Sequence, residues 1–279
     1  MLLVTGATGT VGPHVRRELR EVDADVRVGL RRPDAAPSDL APTAETVRFD
    51  FQKPETWADA LAGVDGIFLL RPPGVDADTV ESFVAAAGRT GTGRVVYLSG
   101  IGSGWNPMNS HYWSERKLEA LDVEYTFLRA SYFAQNLERY HREEIADRGE
   151  LVAPVGDGAV SFVDARDIGA VAATALTEPG HDNRAYTITG PAALDFDAVA
   201  AVLGDVLDRP VEYVSPSLPR FALQKYREGD APVLLSMIYT AARIGLAEAV
   251  TDDVRSVLGR EPRDMRAYVS ANAAAFRAD

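Results

Sequence analysis

Gly6-Ala7-Thr8-Gly9-Thr10-Val11-Gly12 lies between a short apolar segment and a polar, helix-like one. Three glycines at this spacing suit a tight turn that a phosphate group can approach and that packs against the helix after it. The free N–H groups and positive dipole end at the start of that helix attract anions. Strand, glycine loop and helix in this order are the context a dinucleotide-binding loop needs. Gly6, Thr8, Gly9, Thr10, Val11 and Gly12 are therefore the expected pyrophosphate cradle; the alternative is an ordinary turn built of small residues.

The next apolar strand ends Leu30-Arg31-Arg32-Pro33. An NAD site usually places an acid here to bind the ribose 2′-hydroxyl. Two guanidiniums suit a 2′-phosphate instead, so NADP(H) is the expected cofactor, with NAD(H) kept open by Asp34. A solvated turn is the other reading of this pair. Asp50 and Phe51 follow the third strand, where the adenine edge would lie; Asp50 would accept from the adenine amino group and Phe51 would wall the ring, unless they only cap the next helix. Leu70-Arg71 and Ser99 end the fourth and fifth strands at the carboxyl edge, where such sheets bind ligands.

His111 and Glu115 are four residues apart on one helix face. There Glu115 would orient His111 as a proton donor with a pKa near 7; alternatively Glu115 is a first-turn acid favoured by the dipole. Tyr112 and Arg116 are also four apart, and Lys117 lies roughly 100° further round. Arginine favours a tyrosinate electrostatically but does not relay protons. Asp164 and Asp167 read as a helix cap and a first-turn acid. His141 and His181 have no companions at metal-ligand spacing, so no metal is expected.

Placing these residues requires a particular frame. Short apolar runs at 2–5, 25–30, 46–49, 66–70, 95–98 and 125–128 alternate with helix-like segments at 13–21, 54–61, 78–89 and 110–121. Continuous apolar strands between helices imply a parallel sheet covered on both faces. Right-handed crossovers make it the doubly wound, Rossmann α/β arrangement. A longer helix is expected at 131–148, then a helix at 164–176, a returning strand at 186–189, a helix at 195–207 and a strand at 211–214. Further helical stretches at 220–227, 233–244, 252–258 and 264–276 complete a smaller, mostly helical lobe. The expected domains are residues 1–150, dinucleotide-binding, and 151–279, a substrate-side lobe interleaved with the last Rossmann elements.

The 279 residues carry a net charge of −12, which repels phosphate backbones and anionic lipids and argues against nucleic-acid and membrane partners. There is no cysteine, which excludes disulfides and thiolate chemistry. No apolar run reaches the roughly 18 residues of a membrane span. The chain opens straight into a strand and a glycine loop, so a cytoplasmic protein without a signal peptide is expected.

Several motifs together resemble the NmrA-like, atypical short-chain dehydrogenase/reductase family. They are TGATGTVG at 5–12, LRRP at 30–33, VVYLSG at 95–100, HYWSERKLEALDVEYTFLRASYFAQNL at 111–137, SFVDARDIGAVAATAL at 161–176, YTITGPAAL at 186–194, and TDDVRSVLGREPRDMRAYVSANAAAF at 251–276. The resemblance covers nearly the whole chain and implies NADP(H) carried on Gly6, Gly9, Gly12 and Arg31. It implies an NAD(P)H-dependent oxidoreductase reducing a quinone or similar small conjugated carbonyl. It equally admits a non-catalytic NADP(H)/NADP redox sensor acting through a protein partner, or a tailoring reductase or epimerase of a biosynthetic pathway. Ordinary short-chain dehydrogenases use a Tyr-x-x-x-Lys pair; here Tyr112 is followed at that spacing by Arg116. The family helix carries a His-x-x-x-Glu pattern like that of His111 and Glu115. By the same resemblance Tyr132, Phe133 and Asn136 lie on the substrate side, Phe133 to stack on a flat acceptor and Asn136 to hydrogen-bond it. A monomer or homodimer is expected.

Overall fold

Apolar runs too short for helices become the strands of the computed structural model, which describes residues 1–36, 40, 44–228 and 232–277. In chain order they are β1 (Leu2–Val4), β2 (Val26–Leu30), β3 (Glu45–Arg48), β4 (Gly66–Leu70), β5 (Arg94–Gly100), β6 (Glu124–Ala130), β7 (Glu150–Val152), β8 (Ala159–Val160), β9 (Arg184–Ile188), β10 (Leu194–Asp195) and β11 (Glu212–Val214). The helices are α1 (Gly12–Glu21), α2 (Trp57–Leu61), α3 (Ala77–Arg89), α4 (Tyr112–Glu119), α5 (Asn136–Glu143), α6 (Ala165–Thr177), α7 (Phe196–Leu207), α8 (Leu218–Glu228), α9 (Pro232–Arg243), α10 (Asp253–Leu258) and α11 (Met265–Ala271).

Seven strands form one sheet in the order β3-β2-β1-β4-β5-β6-β9. Every neighbouring pair is parallel. This is the Rossmann arrangement. The strand order reverses between β1 and β4, the point where such sheets bind ligands outside their carboxyl ends. β5 is buried from Val95 to Ser99, as a strand covered on both faces must be. On one face α2, α3 and α4 bury Trp57, Phe83 and Leu118 against Ile67, Leu69, Tyr97 and Phe127. On the other, α6 lies across β4, β5 and β6 and against α1. The two helices meet at Gly169, where a Cβ would come within 2.6 Å of His14 Cβ.

The chain divides into two compact units, Met1–Ala130 with Ala165–Ile188 and Ser256–Gly259, and Ser131–Asp164 with Thr189–Arg255 and Arg260–Asp279. Residues 131–150, read from the sequence with the first domain, belong to the second unit. That unit holds two two-stranded sheets, β10 with β8 antiparallel and β11 with β7 parallel. Its core gathers Phe162, Phe196, Leu203, Phe221, Tyr239, Tyr268 and Phe276.

The single helix expected at 131–148 is not formed. Phe133 bridges Val163, with Ala134 N–H donating to Val163 and Val163 N–H to Tyr132. Backbone committed to that bridge cannot also turn helically, so α5 begins at Asn136. A π-turn at Glu144–Arg148 follows and ends at Gly149, which takes the left-handed φ of 65°. Asp76, Asp195 and Asp264 cap α3, α7 and α11 by accepting N–H bonds of 2.7 Å. Among the described residues, no helix is long and apolar enough to cross a membrane.

Candidate functional site

The first unit builds its candidate site from the carboxyl ends of β1, β4 and β5. Thr5, buried at the end of β1, donates to the Phe68 carbonyl and accepts from Leu70 N–H at 2.9 Å, tying β1 to β4. Gly6 then turns at φ 61°, a conformation costly for any residue with a Cβ. Leu70 lies over it; a Cβ at Gly6 would sit 3.1 Å from Leu70 Cβ. Gly9 N–H closes the turn on the Gly6 carbonyl at 3.0 Å. At Gly12 a Cβ would strike the Gly6 carbonyl and lie 2.6 Å from Ala7 Cα. The loop therefore folds back on the first turn of α1. That turn has no side-chain cap and no acidic residue, so no side chain of that turn offsets the positive end of its dipole. Thr8 and Gly9 are exposed, Thr10 half-buried and Val11 buried.

Arg31 and Arg32 stand exposed where β2 ends. The residues expected to contact adenine, Asp50 and Phe51, follow β3. Asp50 accepts Gln52 N–H at 3.0 Å in a local turn. Phe51 is buried against Phe49 and Phe83, with ring centroids 4.8 and 5.4 Å away. A phenyl ring gains more from that core than from an open face.

Arg71 does structural work at the end of β4. It donates to the Val75 carbonyl at 2.7 Å and to the Ser110 carbonyl at 2.9 Å, joining β4 to the loop before α4. Asn109 accepts His111 N–H at 2.9 Å and donates to the Ile101 carbonyl at 3.0 Å. The turn so fixed delays the helix to Tyr112.

The expected His111–Glu115 pair is absent. Glu115 is fully buried and its carboxylate accepts from Ser99 at 2.6 Å, Ser103 at 2.5 Å and Arg129 at 2.7 Å. Gly104 leaves room for the Arg129 guanidinium, which a Cβ there would approach to 2.5 Å. His111 instead meets the Tyr97 hydroxyl, 2.7 Å from Nδ1. Burial, and then the nearby Arg71 charge, lower the His111 pKa to about 4, against the opposing pull of Glu115. The ring is thus neutral at pH 7, not poised near it. Tyr112 is half-buried with the Arg116 guanidinium 5.7 Å from its ring centroid. Arg116 also pairs with Glu119, while Lys117 pairs with Asp78 and Glu81 of α3. Lys117 therefore does not replace the missing lysine.

A family model described as NAD(P)H-binding matches residues 6–179. The chain belongs to the NAD(P)H-binding family. The match agrees with the resemblance to NmrA-like short-chain dehydrogenases/reductases. The chain is 35% identical, over the full length of both proteins, to an NAD(P)H azoreductase of Xenophilus azovorans. Its fold is similar to that of an NADPH-dependent quinone oxidoreductase of Escherichia coli complexed with NADPH (TM-score 0.87, 23% identity, 98% of this chain and 100% of that one). It is likewise similar to a Citrobacter triphenylmethane reductase complexed with NADP(H) (TM-score 0.86, 24% identity, 98% and 99% covered). The glycine loop fits the family's dinucleotide: with no Cβ at Gly6 or Gly12 it packs tightly under Leu70 and back on the start of α1.

In the second unit of this NAD(P)H-binding chain, Tyr132 is directed into the core and not toward a substrate. Its hydroxyl lies 2.7 Å from that of Tyr239, which also contacts His141 Nε2 at 2.5 Å. Burial, and then the Lys225 charge, lower the His141 pKa to about 3. Phe133 and Asn136 are half-buried. Among the described residues, no group of three or more His, Asp or Glu could hold a metal.

Sequence reasoning missed Tyr97, Ser103 and Arg129. Ser99 and Ser103 stand four apart beyond a buried strand, and Arg129 is a charge at the end of another, Thr126 to Ala130. A charged group ending an apolar strand is the one available hint of a buried partner.

Proposed function

We propose that the chain is an NADPH-dependent reductase of a quinone or similar small conjugated carbonyl. The observation that carries this reading is the glycine cradle against an uncapped helix start, with two exposed arginines where an NAD site would present an acid. Gly6 to Gly12 would hold the pyrophosphate and Arg31 and Arg32 the 2′-phosphate. Leu70, Arg71 and Ser99 shape the strand ends beside them. A bound reduced nicotinamide supplies two electrons as hydride. A quinone accepts hydride readily, so the main task of the residues is to position it; Phe133 and Asn136 are our candidates for that.

The absence of a Tyr-x-x-x-Lys pair, with Lys117 held by α3, supports a second reading as a non-catalytic NADP(H)/NADP sensor. A tailoring reductase remains the third. The test follows loss of reduced-nicotinamide absorbance with a panel of simple quinones, using NADPH and NADH in parallel, with cofactor binding measured separately. We expect oxidation to be faster with NADPH. Arg31→Ala removes a charge-assisted phosphate contact of about 1.5–3 kcal/mol, so NADPH affinity should fall roughly 10–100-fold while NADH affinity changes little. Tight NADPH binding with no oxidation by any quinone sinks the quinone reading in favour of the sensor or a specialised substrate.

A further inference from the structure

Resting on the reductase reading, we propose that His111 acts as a neutral hydrogen-bond donor, presenting Nε2–H to the acceptor oxygen that gains negative charge, and that Tyr97 is the positioning residue that fixes this tautomer. The argument starts at the phenol oxygen of Tyr97, on the buried strand β5. Among the described residues, the hydrogen-bond partner of that phenol is His111 Nδ1, 2.7 Å away. Burial raises the Tyr97 pKa, so the phenol keeps its proton. A buried O–H that keeps its proton needs an acceptor, and the group within reach is His111 Nδ1, so the phenol donates there. A neutral imidazole that accepts at Nδ1 carries its proton on Nε2.

Nε2 is on the opposite side of the ring. Among the described residues no group pairs with it, and it is not among the sealed, unpartnered atoms. The ring sits at the carboxyl edge of the sheet, its Cδ2 3.9 Å from where a Cβ of Gly100 would be. The charged and titratable groups around it are Tyr97 of β5, Arg71 beyond β4 and Glu115 of α4. Glu115 alone favours imidazolium, and its charge is already matched by Arg129.

Two electrons arriving as hydride on a quinone leave an oxygen bearing negative charge. Nε2–H hydrogen-bonds that oxygen without giving up its proton, and water supplies the proton that completes the hydroquinone. A proton-donating histidine and a hydrogen-bonding one then differ in what can replace them. Glutamine offers an amide N–H near the Nε2 position but no dissociable proton.

Two measurements test this. The first is 15N NMR of histidine-labelled, cofactor-free protein from pH 5 to 8, with the His111 signals assigned by their loss in His111→Gln. We expect a neutral ring protonated on Nε2 throughout, and a mixture of tautomers in Tyr97→Phe. A ring protonated on Nδ1, or charged at pH 6, overturns the proposal. The second is turnover of a simple quinone with NADPH. His111→Ala should lose about 10²-fold in kcat, as for one donor to a developing oxyanion. His111→Gln should recover at least about ten-fold of that, and the kcat of the unaltered protein should not titrate between pH 5 and 8. Glutamine as poor as alanine, or a kcat titrating near pH 6.5, overturns it. A protein that reduces no quinone removes the donor role together with the reductase reading, and the NMR result, which needs no turnover, shows which premise failed.

Discussion

Glu115→Ala is the perturbation with the largest calculable effect on the first unit. The carboxylate has no exposed surface and accepts from Ser99, Ser103 and Arg129. Truncating it leaves the Arg129 guanidinium without a counter-charge and takes the carboxylate from two buried hydroxyls, of which Ser103 keeps Ser99 Oγ at 3.2 Å. Breaking a buried ion pair costs about 3–5 kcal/mol. Arg129 keeps 22% exposure and regains some water, which places the expected loss near the lower end, about 3 kcal/mol. At roughly 2–4 °C per kcal/mol the melting temperature should fall by about 6–12 °C. Arg129→Met leaves a carboxylate buried with only two hydroxyls and should cost at least as much. In the double variant neither charge is stranded, so the effects should fall short of additive by about 2 kcal/mol or more. The assay is urea and thermal unfolding by circular dichroism, with all four proteins at one pH. An acid–base partner of His111 would cost turnover and little stability. A Glu115→Ala loss below about 1 kcal/mol, or additive effects, would refute the view of Glu115 as an anchor between β5, β6 and α4.

Two further outcomes follow from the same geometry. Gly12→Ala meets backbone atoms that cannot swing aside, an overpacking of about 1–3 kcal/mol; NADPH affinity, read by fluorescence titration, should fall about 10–100-fold, and an unchanged affinity would mean that α1 does not back the cradle. His111 and His141 have pKa values of about 4 and about 3 in the folded protein, below the unfolded value of about 6.5. The unfolded chain therefore binds more protons below pH 6.5. Stability holds above that pH and falls toward acid at about 1.4 kcal/mol per pH unit for each histidine, down to the folded pKa. Urea midpoints from pH 8 to 4.5 should show this, and His141→Gln should flatten the slope by one histidine; an unchanged slope would contradict the depressed value.

The glycine loop, the alternating strands and most helices were legible because each is local: a turn needs its glycines and a strand its apolar run. The site beyond the loop was less so. Spacing places Glu115 on the same helix face as His111, but spacing does not show Ser99 and Arg129, which arrive on strands and claim the carboxylate first. Phe51 read as a wall of the adenine site because it follows a strand, and the family resemblance put Tyr132 on the substrate side. The fold buries both, Phe51 against Phe83 and Tyr132 against Tyr239. The helix expected from Ser131 failed for a similar reason, since its first backbone groups bond to Val163, thirty residues further on.

The close meeting of α1 and α6 at Gly169 bears on the order in which the molecule is made. The ribosome delivers the glycine loop early, yet the helix that flanks α1 is encoded only after the whole of 131–164, a stretch that belongs to the other unit. An early nascent chain holds β1, the loop and α1 with one side of α1 still wet, and it waits for a long-range contact before that side is covered. A truncated product ending before α6 would carry the glycine loop without the helix that packs against α1.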